Sequence, residues 1–149
     1  MSDLRELYQE LILDHTKRPR NRRRIDTPDR KADGANPLCG DHVTIYLKLD
    51  GDIIREATFE GDGCAISTAS ASMLTECLPG KTLAEAKALF RQFHHMITGD
   101  PIETAAGPGL GKLEVFSGVC QYPARVKCAT LAWHTLDAAM KDIPTATTE

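Results

Sequence analysis

The sequence predicts an α+β fold in which a small antiparallel sheet, built on a hairpin, packs against helices. Three observations support this prediction. An amphipathic helical pattern opens the chain, two segments of alternating hydrophobicity joined by an Asp-Gly turn follow it, and three further helical patterns fill most of the remainder. An order of helix, hairpin and then helices is typical of the α+β class.

The length and composition indicate one compact domain over residues 1–149. The 149 residues are 42% hydrophobic and 26% charged, which is the range of globular proteins. A chain of this size buries about 68–70% of its unfolded surface, so disulfides are not required for folding. The formal net charge of −3 offers no general attraction to polyphosphate, and we therefore expect no nucleic-acid partner.

The cellular compartment is predicted from what the sequence contains near its start and along its length. Asp3 and Glu6 stand where a secretory signal would have a basic patch and then an apolar run. No stretch reaches the roughly 18 apolar residues that span a bilayer. We therefore expect a cytoplasmic protein with no membrane partner, in which the five cysteines are metal ligands, reactive thiols or buried apolar residues.

The first helix and the segment after it have opposite character. Five apolar residues share one face of the helix: Leu4, Leu7, Tyr8, Leu11 and Ile12. Residues 17–24 then hold six of the eighteen basic side chains, and Pro19 discourages the helix from continuing. This basic linker is a candidate contact for an acidic partner or an RNA, but we favour a solvated loop whose charges repel one another.

The hairpin is predicted from period-two alternation. Residues 43–49 alternate, Asp50-Gly51 is a strong signal for a tight turn, and residues 53–60 return. The return strand ends at Gly61-Asp62-Gly63. These signals place the two strands side by side.

The later helices are bounded by standard start and stop signals. A helical stripe over residues 66–77 ends before Pro79-Gly80, a capping box at residues 82–85 begins a second helix, and Pro123 opens a third. Residues 99–118 contain five glycines and two prolines, which predicts an irregular insertion with at most a short extended piece at residues 113–116. We expect residues 144–149 to be frayed.

The cysteines offer one candidate site. Cys39 and Asp41 precede the first strand and share the inward parity of Val43, so a thiolate and a carboxylate point the same way if extended geometry reaches back that far. Cys64 begins a helix, where exposed N–H groups favour a thiolate, and the hairpin brings it near the start of the first strand. Cys128 lies near the front of the last helix, and spacing does not place it in space.

Two interpretations of this pattern stay open from the residues alone. Three thiolates and a carboxylate suit a tetrahedral zinc site, and soft sulfur ligands equally suit iron–sulfur chemistry. Because paired Cys-x-x-Cys spacing is absent, three small buried residues are the alternative. Cys77 lies on an apolar helix face and is predicted to belong to the core, whereas Cys120, at a loop-to-helix junction, is ambiguous.

Three motifs resemble a known family. Residues 36–41 read Asn-Pro-Leu-Cys-Gly-Asp, residues 61–67 read Gly-Asp-Gly-Cys-Ala-Ile-Ser, and residues 122–129 read Tyr-Pro-Ala-Arg-Val-Lys-Cys-Ala. Together and in this order they resemble the IscU/SufU family of iron–sulfur cluster assembly proteins, which includes the N-terminal part of NifU. The resemblance runs from the first helix to the last. It implies that Cys39, Asp41, Cys64 and Cys128 form one metal site.

Two features resemble the SufU branch of that family. Lys127 stands before the last cysteine, where IscU proteins carry a histidine, and residues 99–118 form an insertion that IscU lacks. The SufU resemblance implies a bound zinc and a zinc-dependent sulfurtransferase that accepts sulfur from a SufS-type, pyridoxal-phosphate-dependent cysteine desulfurase. A desulfurase histidine would replace one thiolate ligand, and the freed Cys39 would take the persulfide sulfur.

The resemblance also implies a second function for the same ligands. In this alternative the chain is a scaffold on which iron or an iron–sulfur cluster is bound and then handed to downstream assembly proteins. Lys127 and the insertion favour sulfur transfer. Arg125 and Lys127 add positive charge beside Cys128; they are candidates for stabilising its thiolate or contacting the partner, and a solvated helix face is the alternative.

Overall fold

The structure is a computed structural model, and it describes residues 2–37, 40–98, 113, 116 and 123–147. Its elements follow the chain as one helix, three strands, three helices and a short last strand. Among the helices it describes, none has the length and apolar character needed to cross a membrane.

A four-stranded sheet forms one layer of the fold. Its strands are β1 (Arg30–Asn36), β2 (Asp41–Asp50), β3 (Ile53–Asp62) and β4 (Thr145–Thr147). They lie in the order β3-β2-β1-β4; β2 pairs antiparallel with both β1 and β3, whereas β4 runs parallel to β1. The predicted α+β class is confirmed, with one parallel pair added to the antiparallel sheet.

The hairpin of β2 and β3 is confirmed. Asp50 pairs with Ile53, so the two turn residues are Gly51 and Asp52, and Gly51 has φ of +65°. That left-handed conformation is readily available to glycine. Both strands extend two residues beyond the prediction at the end opposite the turn, to Asp41 and Asp62. This extension carries the sheet to the cysteines.

Strand β1 is the element that sequence patterns missed. It holds mostly small or charged residues, without the β-branched side chains that mark a strand. Small residues are needed there because a helix crosses close above: a Cβ added to Gly34 would lie 1.9 Å from Thr135 Oγ1. Burial, and not residue type, alternates along β1, and Ala32, Gly34 and Asn36 face inward.

Four helices form the other layer. They are α1 (Ser2–Lys17), α2 (Ala65–Cys77), α3 (Leu83–Thr98) and α4 (Pro123–Met140). Helices α2 and α4 pack on the sheet, α1 packs on α2, and α3 packs on α4. The predicted capping box is confirmed, because Glu85 N donates to Thr82 Oγ1 and Thr82 N donates to Glu85 Oε1.

The core centres on Trp133 of α4, which is fully buried. Its ring stacks on Phe93 of α3 with centroids 4.4 Å apart, and its Nε1 donates to Ser70 Oγ of α2. Ser70 Oγ in turn donates to the backbone oxygen of Ala129. This chain of contacts ties α2 to the segment of α4 that carries Cys128.

The basic linker follows α1 and leads to β1, and three of its arginines pair with acids. Arg20 contacts Asp14, Arg22 contacts Asp62, and Arg23 contacts Glu56. Phe59 N of β3 also donates to the backbone oxygen of Asn21. The expected solvation is confirmed for Arg22 and Arg23, which are exposed. The expected mutual repulsion is corrected for these arginines, because acidic side chains on the hairpin and on α1 pair with them.

Two other local predictions are wrong. Residues 145–147 are not frayed but form β4, because Asp33 N donates to the backbone oxygen of Pro144 and starts a parallel ladder on β1. Leu113 and Phe116 are buried and have 3₁₀-helical backbone instead of the extended piece. Phe116 packs edge-on against Phe93, so apolar burial decides its place. The rest of 99–118 lies outside the described residues.

Candidate metal centre

Three segments far apart in the sequence meet at one end of the sheet. Asp41 is the first residue of β2, Cys64 precedes α2, and Cys128 lies in the second turn of α4. One ligand atom from each, two sulfurs and a carboxylate oxygen, lie within 4.8 Å of one another. Two of the three residues are buried and Cys64 is half-buried, so the site opens to the surface on one side.

Asp41 is held by the backbone of the segment that follows the hairpin. Its Oδ1 accepts a hydrogen bond of 2.8 Å from Cys64 N, and its Oδ2 lies 3.8 Å from Cys64 Sγ. The side chain is only 2% exposed. Gly63 allows this approach, since a Cβ there would lie 2.9 Å from Asp41 Oδ1.

Cys64 caps the N-terminus of α2. Its backbone is extended, with φ of −69° and ψ of 171°, and its Sγ accepts from Ser67 N at 3.4 Å. Unpaired N–H groups and the helix dipole favour a negative sulfur at this position. The predictions that Cys64 begins a helix and lies near the start of the first strand are confirmed.

Cys128 is fully buried and receives donors from two directions. Asn36 Nδ2, at the end of β1, lies 3.8 Å from Cys128 Sγ. The guanidinium of Arg125, one turn earlier on α4, lies at the surface. A hydrogen bond to Cys128 and the negative charges of Cys64 and Cys128 raise the pKa of Arg125. The positive charge expected beside Cys128 is thus directed at both sulfurs.

This donor set fits zinc by its chemistry. Zinc takes thiolate sulfur and carboxylate oxygen as ligands in tetrahedral sites, with bonds of about 2.0–2.3 Å. Such bonds put neighbouring ligand atoms roughly 3–4 Å apart, so the 4.8 Å spread needs only a small contraction. Two soft sulfurs equally suit iron–sulfur chemistry. A fourth ligand is required to close a tetrahedral site.

The remaining sequence-predicted residues have different outcomes. Cys39, the predicted fourth ligand, lies outside the described residues, as does Cys120, and the ligand role of Cys39 stays a prediction. Cys77 packs against the core as predicted, and burial raises the pKa of its thiol to about 11. Lys127 is half-buried, and its role also stays a prediction.

Sequence reasoning gave no role to Asn36, although it stands in the first motif. Its contact with Cys128 depends on β1, which no alternation of residue types reveals. Asn36 pairs with Asp41 across the ladder from β1 to β2. The sequence offered one local signal for a role of Asn36, which is its position three residues before Cys39.

Comparison with known proteins agrees with this geometry. The profile of the NifU-like N terminal domain matches residues 7–129. The zinc-dependent sulfurtransferase SufU of Bacillus subtilis is 42% identical over 136 residues, which cover 91% of this chain and 90% of that protein. The iron–sulfur cluster assembly scaffold protein IscU of Streptococcus pyogenes is 41% identical over 141 residues, covering 95% and 87%.

A solved structure shares the fold. It is described as an iron–sulfur cluster assembly scaffold protein for the SUF system of Fervidobacterium islandicum. The two superpose with a TM-score of 0.82 at 38% identity, covering 88% of this chain and 94% of that one. The expected resemblance is confirmed by sequence and by fold. With most of its length matched by the family profile and by these relatives, the chain belongs to the family of the NifU-like N terminal domain.

Proposed function

We propose that this protein is a zinc-dependent sulfurtransferase of iron–sulfur cluster assembly. The single observation that carries the proposal is the meeting of Asp41, Cys64 and Cys128, whose ligand atoms lie within 4.8 Å of one another although the two cysteines are 64 positions apart in the sequence. The SufU of Bacillus subtilis, named for this activity, supports the choice.

The proposed ligands are Cys39, Asp41, Cys64 and Cys128. Bound zinc would keep the thiols deprotonated and shielded from unwanted reaction. Asp41 is the one hard ligand in a soft set, and such a ligand weakens the hold on a metal that prefers sulfur. The ligand set is therefore suited to exchange rather than to permanent closure.

The proposed transfer uses the Cys39 thiolate as the sulfur acceptor. The partner is a SufS-type, pyridoxal-phosphate-dependent cysteine desulfurase that carries a persulfide on its own cysteine. The Cys39 thiolate attacks the outer sulfur, a new S–S bond forms on Cys39, and the bond to the donor cysteine breaks. The donor leaves as a thiolate, so no external oxidant or reductant is needed.

The other residues of the site prepare this step. Ser67 N donates to the Cys64 sulfur, and Arg125 offers a cation to Cys64 and Cys128 from the surface. These contacts stabilise Cys64 and Cys128 as thiolate ligands of the metal while Cys39 takes the sulfur. The product sulfur would pass to downstream assembly proteins. We further propose that residues 1–149 act as a single domain with 99–118 as an insertion, and that the protein works in the cytoplasm.

The test is sulfur uptake by the zinc-loaded full chain from a persulfide-loaded cysteine desulfurase, followed on each cysteine by mass spectrometry. Cys39→Ala should abolish uptake. Cys77→Ala is the matched control, since it removes a cysteine that packs against the core, and it should leave uptake unchanged. Undiminished uptake by Cys39→Ala would contradict the proposed role of Cys39.

A scaffold for a nascent iron–sulfur cluster is the second candidate function. The same soft ligands suit a cluster, and the Streptococcus pyogenes relative is named as a scaffold. Anaerobic addition of iron and sulfide, followed by visible absorption, separates the two functions. A stable cluster that is passed to an apoprotein, without stimulation of a desulfurase by the zinc form, would favour the scaffold.

A further inference from the structure

Asn36 has an unusual environment for an amide side chain. It is the last residue of β1, it is 0% exposed, and it faces Asp41 across the ladder. Residues in such cross-strand pairs present their side chains to the same face of the sheet. The Asn36 amide therefore lies beside the metal-ligand cluster, and water does not reach it.

Of the two polar atoms of the Asn36 amide, only the nitrogen has a hydrogen-bond partner among the described residues. Nδ2 donates to Cys128 Sγ over 3.8 Å, whereas the buried Oδ1 has no hydrogen-bond partner among the described residues. An acceptor that is buried without a partner costs free energy. An aliphatic side chain of similar shape would avoid that cost. The N–H donor is what asparagine adds at this position.

The Asn36 donor also differs from the cation that contacts the same sulfur. Arg125 is exposed, so water competes for the hydrogen bonds of its guanidinium. Asn36 is held in a strand and is fully buried. Its contact with Cys128 is therefore shielded from water, unlike that of Arg125.

Each of the two described cysteines of the site has a sulfur that accepts a hydrogen bond from a fixed N–H donor. Cys64 Sγ accepts from Ser67 N, and Cys128 Sγ accepts from Asn36 Nδ2. An N–H group that donates to a thiolate withdraws electron density from the sulfur. The sulfur becomes a weaker nucleophile while it remains a metal ligand, because outer hydrogen bonds tune the ligands they contact.

We propose that Asn36 is a positioning residue that keeps Cys128 a metal-holding ligand and prevents it from acting as a sulfur acceptor. The inference rests on the proposed function, in which one of three similar thiolates must take the sulfur. The fixed donors at Cys64 and Cys128 lower the reactivity of both as sulfur acceptors.

The test compares two cysteines within one molecule. The zinc-loaded full chain is treated with limiting iodoacetamide, and the alkylation rates of Cys128 and Cys64 are measured by peptide mass spectrometry. In Asn36→Leu the ratio of the Cys128 rate to the Cys64 rate should rise about threefold to tenfold, because Cys128 loses its buried donor while Arg125 remains, and Cys64 keeps its donor from Ser67. Asn36→Ser, which is smaller and does not reach the sulfur, should show the same rise.

Ser70→Ala is the matched control. It removes a buried polar side chain that supports α4 through Ala129 and Trp133 but contacts neither sulfur. It should loosen packing without changing the ratio. In the cobalt-loaded protein, Asn36→Leu should move the thiolate-to-cobalt absorption band to longer wavelength, whereas Ser70→Ala should not.

The possible results distinguish a failure of the Asn36 inference from a failure of the proposed function. If both Asn36 variants bind one zinc and keep the wild-type ratio, the role of Asn36 is overturned and the proposed function stands. A ratio that rises equally in Ser70→Ala would also overturn it, because general loosening would then explain the change. If the wild-type chain binds no zinc, the proposed function fails, and the Asn36 inference fails with it.

Discussion

Two cysteines at opposite ends of α2 show how position determines thiol chemistry. Cys64 precedes the helix, and its sulfur accepts an N–H from Ser67 at the end of the helix where backbone donors are exposed. Cys77 is the last residue of the same helix, where its Sγ donates to the backbone oxygen of Leu74. Burial raises the pKa of Cys77 to about 11. At neutral pH Cys77 is therefore a protonated thiol in the core, although its side chain is chemically the same as that of Cys64.

The carboxylate of Asp41 depends on the absence of a side chain at Gly63. An alanine Cβ at position 63 would lie 2.9 Å from Asp41 Oδ1 and 3.2 Å from Ser67 Cβ. We expect Gly63→Ala to keep the fold and to weaken zinc binding about tenfold, because it displaces a proposed ligand. Competition with a zinc-binding dye measures this affinity.

Gly51→Ala is the control for Gly63→Ala. Gly51 has φ of +65° and open space for an added Cβ, so alanine there strains the hairpin turn, which lies at the end of the hairpin opposite the site. The cost is about 1 kcal/mol of folding free energy, with zinc affinity unchanged. Equal zinc affinity in Gly63→Ala and wild type would show that the carboxylate does not need this space.

At the level of elements, prediction succeeded where the signals are local. The hairpin and the helix boundaries follow from residues 43–60, the capping box and Pro123, each of which acts within a few residues. Strands β1 and β4 were missed because their residues are chosen by neighbours distant in sequence. Gly34 is small because Thr135 lies above it, and β4 forms because β1 offers it an edge.

The close crossing of α4 over β1 gives a prediction for packing. Gly34→Ala should lower the free energy of unfolding by about 1–3 kcal/mol, because the new methyl group meets Thr135 Oγ1 at 1.9 Å. Thr135→Ala removes that oxygen, so the double variant should recover most of the loss. Urea denaturation of the four proteins in this cycle measures the coupling.

One result of this double-mutant cycle would contradict the predicted contact between positions 34 and 135. Thr135 Oγ1 also donates to the backbone oxygen of Leu131, so Thr135→Ala alone is expected to have only a modest effect on stability. If the effects of Gly34→Ala and Thr135→Ala simply add, the two residues do not interact. The small residues of β1 would then need a different explanation.

At the scale of the whole molecule, the site depends on contacts that the sequence cannot reveal one segment at a time. The hairpin predicted that Cys64 lies near Asp41, because β2 and β3 return to the same end. The place of Cys128 depends on how α4 packs on β1 and α2, through residues such as Ser70 and Trp133. The residues alone left open whether Cys128 joins the other two, and the family resemblance implied that it does.

A metal at this site would add direct bonds between three parts of the molecule that packing and a few hydrogen bonds already connect. Asp41 belongs to the sheet, Cys64 to the start of α2, and Cys128 to α4. Because zinc binds the folded state and not the unfolded chain in this geometry, free zinc at 100 times its dissociation constant should stabilise the fold by about 2.7 kcal/mol. Removal of zinc by a chelator should lower Tm by roughly 5–10 °C.

Differential scanning calorimetry with and without chelator measures this shift, and Cys64→Ala supplies the control. That variant lacks one proposed ligand, so its Tm should be lower than that of the zinc-loaded wild type and should respond little to the chelator. Native-state hydrogen exchange adds a spatial test: zinc removal should speed exchange mainly at residues 61–67 and 123–130, which surround the ligands. A wild-type Tm that is the same in both conditions would mean that these three elements are not joined by a metal.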